Sequence, residues 1–220
     1  MSLKVRHNLS PIQALFFYVQ PRQALYFKNM TENKRSNQRS SKKINSLILK
    51  EMQIGMEELS DLKNNPSLLV DTGYEYMEMG DYEKALKLFS IGTLLNNTDP
   101  DILNGLGITL CEMGKYKQSK QVLQRSCRLN PNDAITLANL AGVCWEMWEL
   151  EQSIYYYNKS LEINPDIEEI HYNLINLYIE TGALYMAYIC CLNFLEKFPD
   201  EEEARELMDE IILNLAISLS

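Results

Sequence analysis

The chain has 220 residues, and its 46% hydrophobic and 23% charged residues are the composition of an ordinary soluble protein. No apolar run approaches the roughly 20 residues that a membrane-spanning helix needs, so no membrane span is expected. Five cysteines without a CxxC spacing and only two histidines argue against a disulfide framework and a structural zinc site, and they predict reduced thiols in a cytoplasmic protein.

The net charge of −9 is unevenly distributed along the chain. Residues 1–50 contain ten Lys and Arg residues and one acid, whereas the rest of the chain contains 11 Lys and Arg residues and 29 Asp and Glu residues. Because residues 31–45 are also polar and rich in Ser and Asn, we predict a basic, largely disordered arm over residues 1–45. The first 29 residues fit either a targeting segment or an upstream extension of a chain that starts at Met30. No nucleic-acid partner is expected.

The segment after the arm, residues 46–65, has the apolar spacing of an amphipathic helix. Ile48, Met52 and Leu59 fall on one helical face, and the helix-stopping run "NNP" follows. We predict an N-terminal helix that packs against the first of the repeats that follow it.

The phrase "EMGDYEKA" at residues 78–85 returns every 34 residues in altered form, as "EMGKYKQS", "EMWELEQS" and "ETGALYMA". A fixed period of this length indicates stacked structural repeats. Each copy has a turn signal in its middle and a helix breaker near its end, which predicts a helix, a tight turn and a second helix. The four predicted repeats span residues 66–99, 100–133, 134–167 and 168–201.

The pattern inside each repeat resembles the tetratricopeptide repeat. The first repeat carries the family's large apolar residue, glycine, aromatic, alanine and second aromatic as Leu69, Gly73, Tyr76, Ala85 and Phe89. The resemblance covers about 60% of the chain. It implies an all-α fold: a right-handed superhelical solenoid of about four helix-turn-helix repeats, with flanking helices.

The chain departs from the family pattern at a few positions. Ser119 and Ser153 replace the alanine, and Trp148 replaces the glycine of the turn. A left-handed backbone would cost a tryptophan ~1 kcal/mol. Either this turn is rebuilt, or Trp148 lies over the rim of the groove beside Trp145.

The sequence of residues 202–220 predicts a closing helix. Acidic residues occupy its first turn, where the helix dipole favours negative charge. A capping helix normally has one polar face. The run from Ile211 to Leu219 contains more apolar surface than one face can hold. This surface fits either a longer cap over the last repeat, or a homodimer seam or partner contact through the C-terminal helix.

The first helices of such repeats line a concave groove, where a partner peptide is expected to bind. Helical geometry places one set of positions of each first helix toward that groove. The predicted peptide-binding residues are Tyr74, Met77, Glu78, Asn104, Ile108, Glu112, Ile135, Trp145, Glu146, Tyr172, Asn176, Ile179 and Glu180. The repeated glutamates form either an acidic binding row or solvated helix ends, and the apolar members either anchor a ligand or pack between neighbouring first helices.

The sequence contains no nucleophile–base pair, metal constellation or glycine-rich phosphate loop, so we expect no catalytic residue, no cofactor and no metal. The prediction is a non-enzymatic module that binds a peptide or helix with apolar and basic residues. Co-chaperones of the family bind acidic C-termini through lysines, but Val70, Tyr74 and Asn104 occupy those positions here. One alternative is a chaperone of type III secretion translocators, which "GDYEKALKLF" and "GLGITLCEMGKY" resemble. The other is a structural assembly factor that uses the convex face or the C-terminal helix.

Overall fold

Helices account for nearly all of the described chain. The computed structural model describes residues 65–218, and within that range it contains nine α-helices and no β-strand. The all-α fold predicted from the sequence is therefore confirmed. The helices are α1 (Pro66–Glu78), α2 (Tyr82–Leu95), α3 (Pro100–Glu112), α4 (Tyr116–Leu129), α5 (Ala134–Glu146), α6 (Leu150–Ile163), α7 (Glu168–Glu180), α8 (Leu184–Lys197) and α9 (Glu202–Ser218). The predicted arm and the predicted N-terminal helix lie outside the described residues, apart from Asn65.

The described helices belong to two compact units, residues 65–165 and residues 166–218. In the first unit α1 packs against α2, α3 against α4, and α5 against α6. The first helices of these three pairs, α1, α3 and α5, are neighbours in space. In the second unit α7 packs against α8, and α8 packs against α9.

Two first helices begin at an aspartate that caps them. The Asp99 carboxylate accepts a hydrogen bond from the Asp101 N–H at 3.0 Å, and the Asp133 carboxylate accepts one from the Ile135 N–H at 3.1 Å. These bonds satisfy N–H groups that have no partner inside the helix. Pro100 occupies the first position of α3, where a missing N–H has no consequence.

Each helix pair closes through the same tight turn. One residue of the turn has a left-handed backbone, with φ of 74° at Gly80, 71° at Gly114, 59° at Trp148 and 73° at Gly182. Two N–H groups of the turn bond back to the last carbonyls of the first helix, which is the Schellman arrangement. Trp148 takes part as the glycines do: its N–H donates to the Trp145 carbonyl, and the next N–H donates to the Cys144 carbonyl, both at 2.9 Å. This turn is therefore not rebuilt around the tryptophan.

Buried serines join the second helix to the first helix in the two middle pairs. Ser119 donates to the Gly107 carbonyl at 2.6 Å, and Ser153 donates to the Ala141 carbonyl at 2.8 Å. A second matched pair, nearer the start of the first helices, is Ser126 and Ser160. The serines that replace the family's alanine therefore add a hydrogen bond at a position that remains completely buried.

Phe89 of α2 is inserted between α1 and α3. It is completely buried, and a Cβ atom placed on Gly73 or on Gly105 would lie 2.5 or 2.2 Å from its ring. Only glycine leaves room for the ring at these two positions. The aromatic residue and the two glycines thus fix how closely the first two helix pairs approach each other.

The last helix, α9, covers the α7–α8 pair. Its Ile211 is buried with Ile175, Ala187 and Cys191 in one core cluster. The opposite side of α9 is less usual, because Leu213 is 60% exposed and Ile212 is exposed beside it. The C-terminal helix therefore closes the core of its unit and also presents apolar side chains to solvent.

Candidate functional site

Polar side chains link the three first helices of the unit formed by residues 65–165. The Asn139 amide of α5 donates to the Asn104 carbonyl oxygen of α3 at 3.0 Å. The Asn104 side chain is also hydrogen-bonded to the Tyr74 hydroxyl of α1, and burial raises the pKa of Tyr74 well above its usual range. This Tyr74–Asn104–Asn139 row crosses α1, α3 and α5, whose inner surfaces are otherwise mostly apolar.

The structure places five of the predicted groove residues in the interior. Trp145 is only 4% exposed, and Tyr74, Met77, Asn104 and Ile108 are buried as well. The Trp145 ring meets Tyr157 edge-on at 6.5 Å, and Tyr74 meets Phe89 at 5.2 Å. These side chains hold neighbouring helices together, which leaves them little surface for a ligand.

The other predicted groove residues of this unit keep contact with solvent. Ile135 is half-buried near the start of α5. Glu78 and Glu112 are exposed and Glu146 is half-buried, each as the last residue of its first helix. Burial and then the Glu112 carboxylate raise the pKa of Tyr82, so the glutamate lies against α2. The accessible surface at the ends of the first helices is therefore acidic.

A second acidic group lies at the opposite ends of α3 and α5. Loss of solvent contact, followed by the charges of Asp99 and Asp133, raises the pKa of Asp101 above its usual range. Asp99 and Asp133 are engaged as helix caps, whereas Asp101 only donates its backbone N–H there. Acidic groups thus lie at both ends of α3.

Comparison with known proteins identifies the repeat. A sequence model of the tetratricopeptide repeat matches residues 100–133. The crystal structure of MamA is similar over 66% of this chain and 86% of that one, with a TM-score of 0.57 and 23% identity. The helix pairs of the described residues have the fold of tetratricopeptide repeats. No curated protein matches it in sequence.

Two further solved structures are similar to the chain. A mutant O-GlcNAc transferase of Thermobaculum terrenum has a TM-score of 0.57 and 21% identity, over 60% of this chain and 26% of that one. The first tetratricopeptide domain of Spaghetti (RPAP3), bound to an HSP90 peptide, has a TM-score of 0.51 and 16% identity, over 55% of this chain and 95% of that one. At these identities the likeness concerns the fold alone.

The unit formed by residues 166–218 contains the remaining predicted groove residues. Asn176, Ile179 and Glu180 are half-buried on α7. Tyr172 packs on Phe194, with 5.0 Å between the ring centres. Burial, followed by the nearby Glu201 and Glu203, raises its pKa beyond the usual range.

His171 belongs to an aromatic cluster on the same unit. Its ring lies 5.2 Å from Phe194 and 6.1 Å from Phe198. His171 therefore contributes to the packing of this helix pair. Within residues 65–218 no group of three or more His, Cys, Asp or Glu residues is arranged to hold a metal ion, and none of the helices there has the length and apolar character to cross a membrane.

The most exposed apolar residues of the turns within the helix pairs were not among the predicted groove residues. Trp148 is 73% exposed and Met79 is 71% exposed. Met79 also borders an open depression of about 520 Å³ together with Tyr82 and Met113. The sequence marks this edge only indirectly, by a tryptophan in the place of a turn glycine and by methionines that recur just before the turns.

Proposed function

We propose that the chain is a non-enzymatic module that binds a peptide segment of another protein along the first helices of its repeats. The observation that carries the proposal is the position of Asn139. It is the only amide side chain on α5, a helix composed mainly of apolar residues, and it is half-buried at the end of the Tyr74–Asn104–Asn139 row. Its bond to Asn104 uses one of its two N–H groups.

The remaining capacity of Asn139 suits a peptide backbone. An asparagine amide has two N–H donors and a carbonyl oxygen with two lone pairs. With respect to residues 65–218, one donor and the acceptor of Asn139 remain for the C=O and N–H groups of an extended segment. Because Asn104 holds the amide in one orientation, less conformational freedom is lost when the peptide binds.

The charges favour a peptide with basic and apolar residues. Glu78, Glu112 and Glu146 end three successive first helices, and none of the thirteen predicted groove residues is basic. The similar Spaghetti (RPAP3) domain was solved with the peptide SRMEEVD, which is acidic. An acidic segment of that kind would be repelled by the glutamates of this chain, so the partner proposed here has the opposite charge.

Site-specific photo-crosslinking tests the proposal. A photoreactive amino acid replaces Asn139 on α5 or, as the matched control, Asn158, which is exposed on the second helix α6. We expect a protein partner to be captured from native lysate through position 139 and not through position 158. Capture through position 158 alone would instead favour an assembly factor that uses the convex face. A captured secretion translocator would favour the chaperone alternative.

A further inference from the structure

Helix α4 differs in charge from the rest of the described chain. Residues 65–218 contain ten Lys and Arg residues against 25 Asp and Glu residues, a net charge of −15. Of the helices in that range, α4 is the only one without an acidic residue, and it has four basic ones. Its basic residues are Lys117, Lys120, Arg125 and Arg128. A positive patch therefore lies on an otherwise acidic surface.

Two of these basic residues have a role within the fold. Lys120 forms a salt bridge with Glu149, and the Arg125 guanidinium donates to the backbone carbonyl of Asn97. Arg128 is exposed and, among the described residues, forms no ion pair. Lys159 of α6 is half-buried and likewise forms no ion pair among the described residues, and its ammonium group lies 5.9 Å from the centre of the Tyr155 ring.

Arg128 and Lys159 line one depression of about 300 Å³ between α4 and α6. Its floor consists of the almost completely buried Leu137 and Leu140 of α5, with Pro131 beside them. No acidic residue lines it. The depression thus combines two positive charges at its rim with an apolar floor.

The electrostatics at Cys127, which also lines the depression, agree with this arrangement. The positive charges of Lys159 and Arg128 both act to lower its pKa, although burial and Asp133 outweigh them and raise it to about 11. Among the described acids, Asp133 is the one whose charge acts on Cys127, and its carboxylate is engaged in capping α5. The thiol therefore stays protonated, and the two charged side chains that line the depression are both positive.

We propose that this depression, which we name the α4–α6 site, binds an acidic segment of a partner protein that carries an apolar side chain. The Arg128 guanidinium offers two parallel N–H groups to a carboxylate, and Lys159 adds a second positive charge. The apolar side chain of the segment covers Leu137 and Leu140. The acidic surface elsewhere repels such a segment, so this is the place on the described surface where it can dock.

The α4–α6 site is separate from the peptide-binding surface proposed above. It lies on the second helices and attracts acidic residues, whereas the first helices attract basic ones. A chain with both surfaces can hold two partners of opposite charge at once. With the α4–α6 site, the protein therefore joins two partner proteins in addition to binding a single peptide.

Fluorescence anisotropy with three labelled nine-residue peptides tests the assignment, using the full-length chain at 0.1 M salt. The first peptide alternates pairs of glutamates with single leucines, the second has lysines for the glutamates, and the third has serines for the leucines. We expect the first peptide to bind at least fivefold more tightly than the third. The second peptide should not bind at the α4–α6 site.

Charge reversal locates the contact. Arg128→Glu and Lys159→Glu should each weaken binding of the first peptide at least fivefold. Lys117→Glu makes the same charge change on α4 outside the depression and should weaken it less than twofold. Asn139→Ala, on a first helix, should leave it unchanged, so a failure of this site is distinguishable from a failure of the proposed function. Arg128→Gln and Lys159→Gln replace the reversed variants if circular dichroism shows a loss of helix.

Several results would overturn the assignment. If Lys117→Glu weakened binding as much as Arg128→Glu does, the attraction would come from the overall charge of α4 and not from the depression. Equal binding of the leucine and serine peptides would show that the apolar floor takes no part in binding. Self-association of the unliganded chain that Arg128→Glu abolishes would assign the α4–α6 site to a second copy of the chain and not to a partner.

Discussion

Ser119 donates a hydrogen bond from its buried hydroxyl to the carbonyl oxygen of Gly107, and so joins α4 to α3. The same bond recurs one repeat later between Ser153 and Ala141. We expect Ser119→Ala and Ser153→Ala each to lower the free energy of unfolding by about 1 kcal/mol, because each loses a buried hydrogen bond. Urea denaturation measures the change. Ser67→Ala, on an exposed serine of α1, should have almost no effect.

Trp148 keeps a left-handed backbone that its side chain does not favour, and little of that side chain is buried. We expect Trp148→Gly to raise the free energy of unfolding by about 0.5–1 kcal/mol, since the strain disappears and few contacts are lost. The reverse test is Gly114→Ala, where a Cβ meets no atom within 4 Å but φ is 71°. This variant should lose about 1 kcal/mol. Equal stability of both variants and the parent would show that these turns relax without cost.

Two glycines on first helices should respond in opposite ways to the same substitution. Gly105→Ala places a Cβ 2.2 Å from the Phe89 ring, so we expect a loss of about 1–3 kcal/mol in thermal unfolding. Gly142→Ala places its Cβ at an ordinary distance of 3.5 Å from the Tyr157 hydroxyl, inside α5. It should gain about 0.5–1 kcal/mol through better helix propensity. Destabilisation by both would contradict the close packing that is specific to Phe89.

The buried cysteines should make the folded state less stable as the pH becomes alkaline. Burial raises the pKa of the Cys144 thiol from 9.0 to about 11, and it raises that of Cys127 to a similar value. A raised thiol pKa stabilises the folded state fully below pH 9, and this contribution is lost as the pH rises toward 11. We expect the urea midpoint to fall between pH 8 and pH 10.5. The fall should be smaller in Cys144→Ala, and an identical fall would assign the effect to other groups.

The exposed apolar face of α9 tests the predicted homodimer seam. Ile211 is buried in the core, so deletion of the whole C-terminal run would damage the fold as well as the seam. Ile212→Gln and Leu213→Gln change only exposed side chains. If the seam forms, these variants should be monomeric in analytical ultracentrifugation while the parent is dimeric. A monomeric parent at high micromolar concentration would leave α9 as a cap alone.

The sequence predicts this fold well because its signals are local and repeated. The 34-residue period, the turn glycines and the small residues at the positions of Ala85 and Ser119 each describe one helix pair. The accessible surface is harder to predict, because a first helix in an array has neighbours on both sides. Helical periodicity places Trp145 on a distinct face of α5, but only the assembled repeats show that the neighbouring helices cover that face.

Hydrogen bonds between helices were equally hidden in the sequence. In the sequence, Ser153 is only a departure from the alanine of the repeat pattern. Its hydrogen bond cannot be predicted there, because the acceptor, the Ala141 carbonyl, belongs to another helix. The α4–α6 site was missed for a similar reason. Arg128 and Lys159 are separated by a whole helix in sequence, and they come together over Leu137 only because α4 and α6 both pack on α5.

The two tryptophans of the chain stand three residues apart in opposite surroundings. Trp145 is enclosed beside Tyr157, whereas Trp148 projects from its turn into water. Their fluorescence therefore has two components, a blue-shifted one that reports whether α5 remains packed and a red-shifted one that acrylamide quenches freely. A ligand that covers the turn would protect the second component and leave the first unchanged. The chain thus contains its own optical means of separating binding at that edge from unfolding, without any added label.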